Sequence, residues 1–327
     1  MTELCGKGIW LAHAGDLQRA AEMTTRIGGD HLIVKVGHGP YYFPETAREH
    51  MQRARTLGLS ALGWIQLTPK HTRATKKAIV AALELGYQAV VLFAMPGLQA
   101  GDQLRLLAED LVNIEVPTDR LFLASPPPDI LNDRETLETL EALVPVCQAG
   151  WMPLCFSAWG EDAGEMIDRK VFHALDELSL LWGKTPEVYP VLSPSYGISD
   201  DARLPERFIP WIEAVARHGV DFFSIYHAAA AQKVLWPMLQ AVNVPCMETG
   251  GRARLQAENM VIGGQEITTI PQPVYITAGA SDTVMGIISR HGLKRDRFWE
   301  WNAHLWDSRG LPRDPDYLQA GWRVRVK

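Results

Sequence analysis

Two hydrophobic rhythms alternate along about the first three quarters of the chain. Short, continuous apolar runs occur at Gly8–Ala12, His31–Val36, Ala61–Leu67, Ala89–Ala94, Leu121–Ala124, Met152–Phe156, Val188–Leu192 and Phe222–Tyr226. Runs of this length without polar alternation read as strands covered on both faces. Between them, apolar residues recur every three or four positions over Asp16–Ile27, Thr46–Leu57, Thr72–Leu85, Gln103–Ile114, Arg134–Val144, Arg169–Trp182, Glu206–His218 and Gln232–Ala241. That spacing gives helices with one buried stripe. Several of these stretches stop just before the next strand on a glycine, namely Gly28, Gly58, Gly86, Gly183 and Gly219, the residue that most readily closes a helix. Strands separated by helices pair in parallel through right-handed crossovers. Eight such units of roughly 30 residues predict an α/β chain whose residues 1–243 form a closed (β/α)8 TIM barrel. The alternative is an open doubly wound sheet, which normally carries a glycine-rich phosphate loop after an early strand. Gly37-His38-Gly39-Pro40 is not such a loop.

Beyond the barrel the rhythm changes. Residues 244–272 are rich in glycine and polar residues and are bounded by Pro245, Pro271 and Pro273, as a linker would be. From 273 to 327 the pattern predicts a small βααβ unit. Val274-Tyr275-Ile276-Thr277 reads as a strand, and Ser281-Asp282-Thr283 supplies capping oxygens ahead of an apolar helical run. Val284, Ile287 and Ile288 then share one helix face, and Gly292 stops it. A second helix fits Asp296–Asn302, and Trp322-Arg323-Val324-Arg325-Val326 alternates as a closing strand.

This order of elements resembles a LysM domain over about a sixth of the chain. The matching positions are Tyr275 in the first strand, Gly279 with Asp282 and Thr283 at the turn, Ile287 to Gly292, Asn302, and Leu318 with Gly321 before the last strand. Ala280-Ser281 interrupts the usual Gly-Asp-Thr turn, and Trp306–Tyr317 lengthens the loop before the final strand. The resemblance implies binding of peptidoglycan or another N-acetylglucosamine-containing glycan, with Gly279, Asp282, Thr283 and Asn302 as its contact positions. The long loop Arg309–Asp316 is also similar to LysM variants of phage tails and contractile injection machines, where the module is a structural part that docks on protein partners.

Composition narrows the remaining possibilities. An apolar fraction of 47% with 21% charged residues is an ordinary globular balance. From Pro273 onward there are nine Lys or Arg against six Asp or Glu, a balance of +3, which leaves −9 for the rest of a chain of net charge −6. No basic stripe suggests nucleic acid. Cys5, Cys147, Cys155 and Cys246 lack metal-type spacing and read as buried free thiols, so neither metal nor cofactor is implied. No stretch is long and apolar enough to span a bilayer, and Met1–Lys7 does not open a secretory signal. The expectation is cytoplasmic synthesis, with action at the cell envelope or inside a phage or injection particle.

In a (β/α)8 barrel, chemistry gathers at the carboxyl ends of the strands. There the sequence places His13 and Asp16, Lys35 and His38, Gln66, Met95, Ser125, Trp159 with Glu161 and Asp162, Tyr196, and Tyr226 with His227. The body resembles glycoside-hydrolase barrels, especially lysozyme-like ones, in which an Asp-x-Glu pair commonly closes the fourth strand. This chain has Phe93-Ala94-Met95 at that place. Sugar hydrolysis needs two carboxylates facing one bond, and Glu161, Asp162 and Asp16 are the acids that could supply them. His13, His38 and His227 could meet at the mouth as a metal site or an acid–base set, although Leu11-Ala12-His13 lacks the His-x-His usual on the first strand of metal-dependent barrels. Lys35 could be an amine activated by desolvation, which would need a carbonyl substrate. Trp10, Trp64, Trp151, Trp159, Tyr41, Tyr42 and Tyr196 offer aromatic faces, Trp10 and Trp64 lying in strands as core residues and Trp159, Tyr41 and Tyr42 lying better for stacking on sugar. Two functions follow. In one, a barrel lacking the usual acid pair recognises a glycan or serves as a scaffold; in the other, the protein hydrolyses peptidoglycan and is targeted by its tail.

Overall fold

A computed structural model describes residues 4–13, 16–95, 101–128, 134–156, 166–193, 204–228, 233–242, 244, 260–262, 265–267, 275–278, 283–291, 295–302, 318 and 323–326. The chain divides into two units, Met1–Thr268 and Thr269–Lys327.

The first unit is built on β1 (Gly6–Leu11), β2 (His31–His38), β3 (Tyr41–Tyr42), β4 (Ser60–Gln66), β5 (Ala89–Phe93), β6 (Leu121–Ser125), β7 (Gly150–Phe156), β8 (Val191–Ser193) and β9 (Phe222–Ile225). All except β3 pair in parallel in the order β1-β2-β4-β5-β6-β7-β8-β9. The ring closes because Gly6 lies opposite Phe222 while Gly8 on the same strand lies opposite His31. The short β3 turns back antiparallel on the end of β2, with His38 opposite Tyr41. Around the ring lie α1 (Leu17–Arg26), α2 (Pro44–Thr56), α3 (Thr72–Glu84), α4 (Gly101–Asn113), α5 (Arg134–Leu143), α6 (Leu175–Trp182), α7 (Leu204–Arg217) and α8 (Trp236–Ala241). Pro44 opens α2, where its missing N–H costs nothing. Gly183 closes α6 at φ 66°, a conformation a Cβ would strain.

Strand alternation explains the continuous apolar runs. Ile9, Leu11, Val34, Ile65 and Leu92 point outward into the helix layer, whereas Trp10, Ile33, Leu62, Trp64, Val91, Phe93, Phe122 and Phe222 fill the barrel. Each large side chain buried this way contributes about 2–3 kcal/mol. The indole N–H groups of three strand tryptophans are satisfied by neighbouring strands: Trp10 Nε1 donates to Ser224 Oγ (2.8 Å), Trp64 Nε1 to the Leu11 carbonyl (3.0 Å) and Trp151 Nε1 to Ser125 Oγ (3.0 Å). Lys7 is also buried, its ammonium donating to the carbonyls of Ile27, Leu239 (3.0 Å) and Val242 (2.8 Å), which joins β1 to the ends of α1 and α8.

The elements depart from sequence expectation in a few places. β2 runs on to His38 through a bulge, Lys35 lying opposite Trp64 and Gly37 opposite Ile65. Val188 makes only an isolated bridge to Trp151, and β8 begins at Val191. The helix expected over Arg169–Trp182 is broken into a π-helical segment at Met166–Phe172 followed by α6. Cys147 and Cys155 are buried free thiols, but Cys5 is disulfide-bonded, contrary to the expectation for all four cysteines. Pairing depends on which Cα atoms the fold brings together, which sequence spacing does not reveal.

Within residues 244–272, β10 (Met260–Ile262) and β11 (Gln265–Ile267) form an antiparallel pair. In the second unit β12 (Tyr275–Thr277) pairs antiparallel with β13 (Arg323–Arg325), and α9 (Val284–His291) and α10 (Arg295–Asn302) lie between them in sequence. Ala278, Val284, Ile287, Ile288, Phe298, Leu318, Val324 and Val326 form its core. Among the described residues no helix is long and apolar enough to cross a membrane.

His31 opens β2 with 5% exposure and its ring edge against Phe222, centroids 5.2 Å apart. Burial pushes its pKa down to about 4. The unfolded chain therefore takes up this proton first, and stability falls as pH drops from about 6.5 to about 4. Urea denaturation at pH 7 and pH 4.5 should show wild type losing about 2 kcal/mol more than His31→Leu across that interval. Equal losses would remove His31 as the source.

Candidate functional site at the barrel mouth

Aromatic side chains close the barrel just below the carboxyl ends of its strands. Trp10 on β1, Trp64 on β4, Phe93 on β5 and Phe156 on β7 belong to the inner cluster, and half-buried Tyr226 follows β9 against them. Tyr226 stacks on Phe93 at 5.6 Å and 17° and on Phe156 at 5.1 Å and 25°. Trp10 meets Trp64 and Tyr226 at 5.6 Å each. Five rings thus make an apolar floor, and such edge-to-face and offset contacts each add about 0.5–1.5 kcal/mol beyond burial.

Polar groups stand on this floor in two neighbourhoods. On the β2 side, the Lys35 ammonium lies 4.8 Å from the centroid of Trp64 and 3.4 Å from Gln66 Oε1. The cation faces the negative π-cloud of the indole. Burial lowers its pKa below the ordinary lysine value. His38, at the end of β2, is also lowered, first by desolvation and then by the Lys35 charge. Beside it a hollow of about 380 Å³ is lined by His38, Gly39, Pro40, Tyr41, Thr68, Lys70 and His71.

On the β1 and β9 side, the rings of His13 and His227 are 6.1 Å apart. Desolvation lowers the His227 pKa; Asp16 opposes that shift, while His13 and Arg19 reinforce it. His227 Nδ1 and Asp16 Oδ2 are buried without a hydrogen-bond partner among the described residues. Each could hold a polar ligand atom in place of water.

The fold thus brings Lys35, Gln66 and His38 together with Tyr41, and Asp16 together with His13 and His227. Trp10 and Trp64 are core residues as expected, 0% and 1% exposed. Tyr41 is 66% exposed and free to stack, and Tyr42 packs partly against the outer core. Trp151 is not at the mouth, because its position on β7 points it into the helix layer. Trp159, Glu161, Asp162, Tyr196, Gly279 and Asp282 lie outside the described residues. Thr283 precedes α9, its carbonyl accepting from the Ile287 N–H at 3.0 Å. Asn302 is fully buried, with Nδ2 donating to the Phe298 carbonyl at 2.9 Å. Sequence reading did not single out Phe156 for the mouth, nor Thr68, Lys70 and His71 for its rim. Phe156 occupies the last position of β7, and Lys70 and His71 sit in a short 3-10 turn, Pro69–His71, just past β4.

No protein-family model and no curated protein matches the sequence. Among solved structures, active domain 2 of a thermostable chitinase from Pyrococcus furiosus aligns with 69% of this chain and 84% of its own, at 9% identity and a TM-score of 0.52. A GH99 endo-alpha-mannosidase from Bacteroides thetaiotaomicron aligns over 66% and 67%, at 12% identity and a TM-score of 0.47. A dihydrodipicolinate synthase from Rhodopseudomonas palustris aligns over 72% and 78%, at 11% identity and a TM-score of 0.42. At such identities the likeness to the chitinase domain is one of fold. The first unit is a closed (β/α)8 barrel with an aromatic-floored mouth, and fold alone does not carry a chemistry with it.

The electrostatics of Lys35 can be measured directly. After reductive 13C-methylation, the dimethyl-lysine resonances of Lys7, lowered by burial to about 8, and of Lys35 should titrate below those of the exposed lysines, and one of the two should vanish in Lys35→Arg. If all methylated lysines titrate together, the desolvation described for Lys35 is wrong.

Proposed function

We propose that the protein recognises a glycan, with peptidoglycan or a related N-acetylglucosamine-containing polymer as its target, and that the barrel binds sugar without cleaving it. One observation carries this reading. Where a glycoside-hydrolase barrel would present its acid pair after the fourth strand, this one has Phe93, 1% exposed and stacked on Tyr226, followed by buried Ala94 and half-buried Met95. A carboxylate pair is what glycosidic hydrolysis requires, whereas aromatic surface with nearby donors is what sugar binding requires. Met95, Lys35 and Gln66 are half-buried groups at the mouth, beside the half-buried Tyr226 of the floor. Asp16 couples to His227, an arrangement suited to holding a hydroxyl.

The second unit supports the same target. Its described strand, helix, helix and strand follow the order of a LysM-like domain, and a tail balance of +3 suits an anionic wall. The Cys5 disulfide suits an oxidising space outside the cytosol. A phage tail or injection assembly would be one vehicle that brings such a chain to the envelope.

Sedimentation of the full chain with purified peptidoglycan sacculi tests the proposal. Tyr226→Ala and Lys35→Gln should each weaken co-sedimentation about tenfold, roughly the 1.4 kcal/mol of one lost stacking or charged contact, with thermal unfolding monitored alongside. Release of reducing ends that disappears in Glu161→Gln would replace binding by hydrolysis. Absence of co-sedimentation, with ordered self-association instead, would replace it by a scaffold.

A further inference from the structure

The hollow beside β2 has a chemistry of its own. Among the described residues its lining contains two imidazoles, His38 and His71, one ammonium, Lys70, and the Thr68 hydroxyl, and no carboxylate. Lys35 adds a second ammonium behind His38, close enough to act on its titration. Among the described residues neither ammonium is ion-paired with an acid. Thr68 Oγ1 is buried and has no hydrogen-bond partner among them. Gly39 packs close to that hydroxyl, and a Cβ there would lie 3.3 Å from Thr68 Oγ1 and 3.6 Å from His71 Cδ2. At the outer edge Tyr41 offers an exposed ring.

The two ammonium groups only donate, whereas the imidazoles and the Thr68 hydroxyl can donate or accept. A neutral sugar hydroxyl both donates and accepts, so facing the ammonium groups half of its capacity goes unused. A carboxylate only accepts, and charge-assisted bonds from ammonium or imidazolium to it are about twice as strong as neutral ones. Two ammonium groups, Lys70 and Lys35, without a paired acid also favour whatever anion enters beside them. The exposed Tyr41 ring supplies the apolar face on which the pyranose bearing that carboxylate can rest.

We propose that this hollow is a subsite for a carboxylate-bearing sugar, so that the barrel prefers acidic to neutral glycans. In a polymer of the peptidoglycan type the matching group is the lactyl carboxylate of N-acetylmuramic acid on strands stripped of the stem peptide, where it is not tied up as an amide. The inference rests on the glycan-binding reading above and adds to it a choice of residue along the polymer.

Calorimetric titration of the full chain with three ligands tests it: N-acetylglucosaminyl-N-acetylmuramic acid, the methyl ester of its lactyl carboxylate, and chitobiose. The acid should bind about tenfold more tightly than its ester, as expected for one charge-assisted contact. In the double variant Lys70→Gln, His71→Asn that ratio should fall to about one. Equal affinity of wild type for acid and ester, with chitobiose bound as well, overturns the subsite and leaves glycan recognition standing. A variant that keeps the full ratio also overturns it. If none of the three ligands binds, both readings fall. The comparison of acid with ester uses only wild-type protein, so it does not depend on how the variant folds.

Discussion

The pairing of β9 with β1 is the constraint on which the rest of the barrel depends. Once Gly6 faces Phe222 and Gly8 faces His31, the strand ladder has no free edge among the eight parallel strands. Closure forces two further conditions. Every second strand residue must point into a confined cylinder, and every carboxyl end must open at one rim. The sequence meets the first with large rings, Trp10, Trp64, Phe93, Phe122 and Phe222. The second gathers side chains that are distant in the chain, such as His13 and His227, at one place.

Filling the upper barrel with aromatic rings decides the electrostatic character of the mouth. Rings exclude water without offering hydrogen bonds, so a charged group set on them is desolvated. Lys35 shows this effect, its ammonium held over Trp64 and lowered in pKa by burial. The bulge that follows it on β2 matters as well. Opposite β4, Lys35 and Gly37 are consecutive partners, so Val36 is the extra residue; it packs outward with the helices and lets the strand run on to His38. The basic hollow beside His38 therefore exists because β2 is longer than its hydrophobic run.

The proposal of binding without hydrolysis rests on the same packing. Phe93 completes the stack with Tyr226 and Phe156, and a carboxylate in that position would be buried among rings. On the proposed reading, a mouth so built holds a sugar face and selects its substituents. The basic side of the rim, with His38, Lys70 and His71, is suited to reading charge, whereas the Asp16 and His227 side is suited to reading hydroxyls.

Much of the architecture was legible in the linear pattern. Continuous apolar runs located all eight barrel strands to within a few residues, because a strand buried on both faces cannot afford polar alternation. Glycines such as Gly183 marked helix ends because few other residues adopt positive φ there. The absence of an acid after the fourth strand could be read directly from Phe93-Ala94-Met95. Only the tertiary structure decided which aromatics share the mouth, why Trp151 faces the helices while Phe156 faces the floor, that Cys5 is disulfide-bonded, and that Lys70 and His71 line one hollow with His38. These outcomes depend on register, closure and bulge, which set distances between residues far apart in sequence, whereas hydrophobic periodicity records only whether a position is buried.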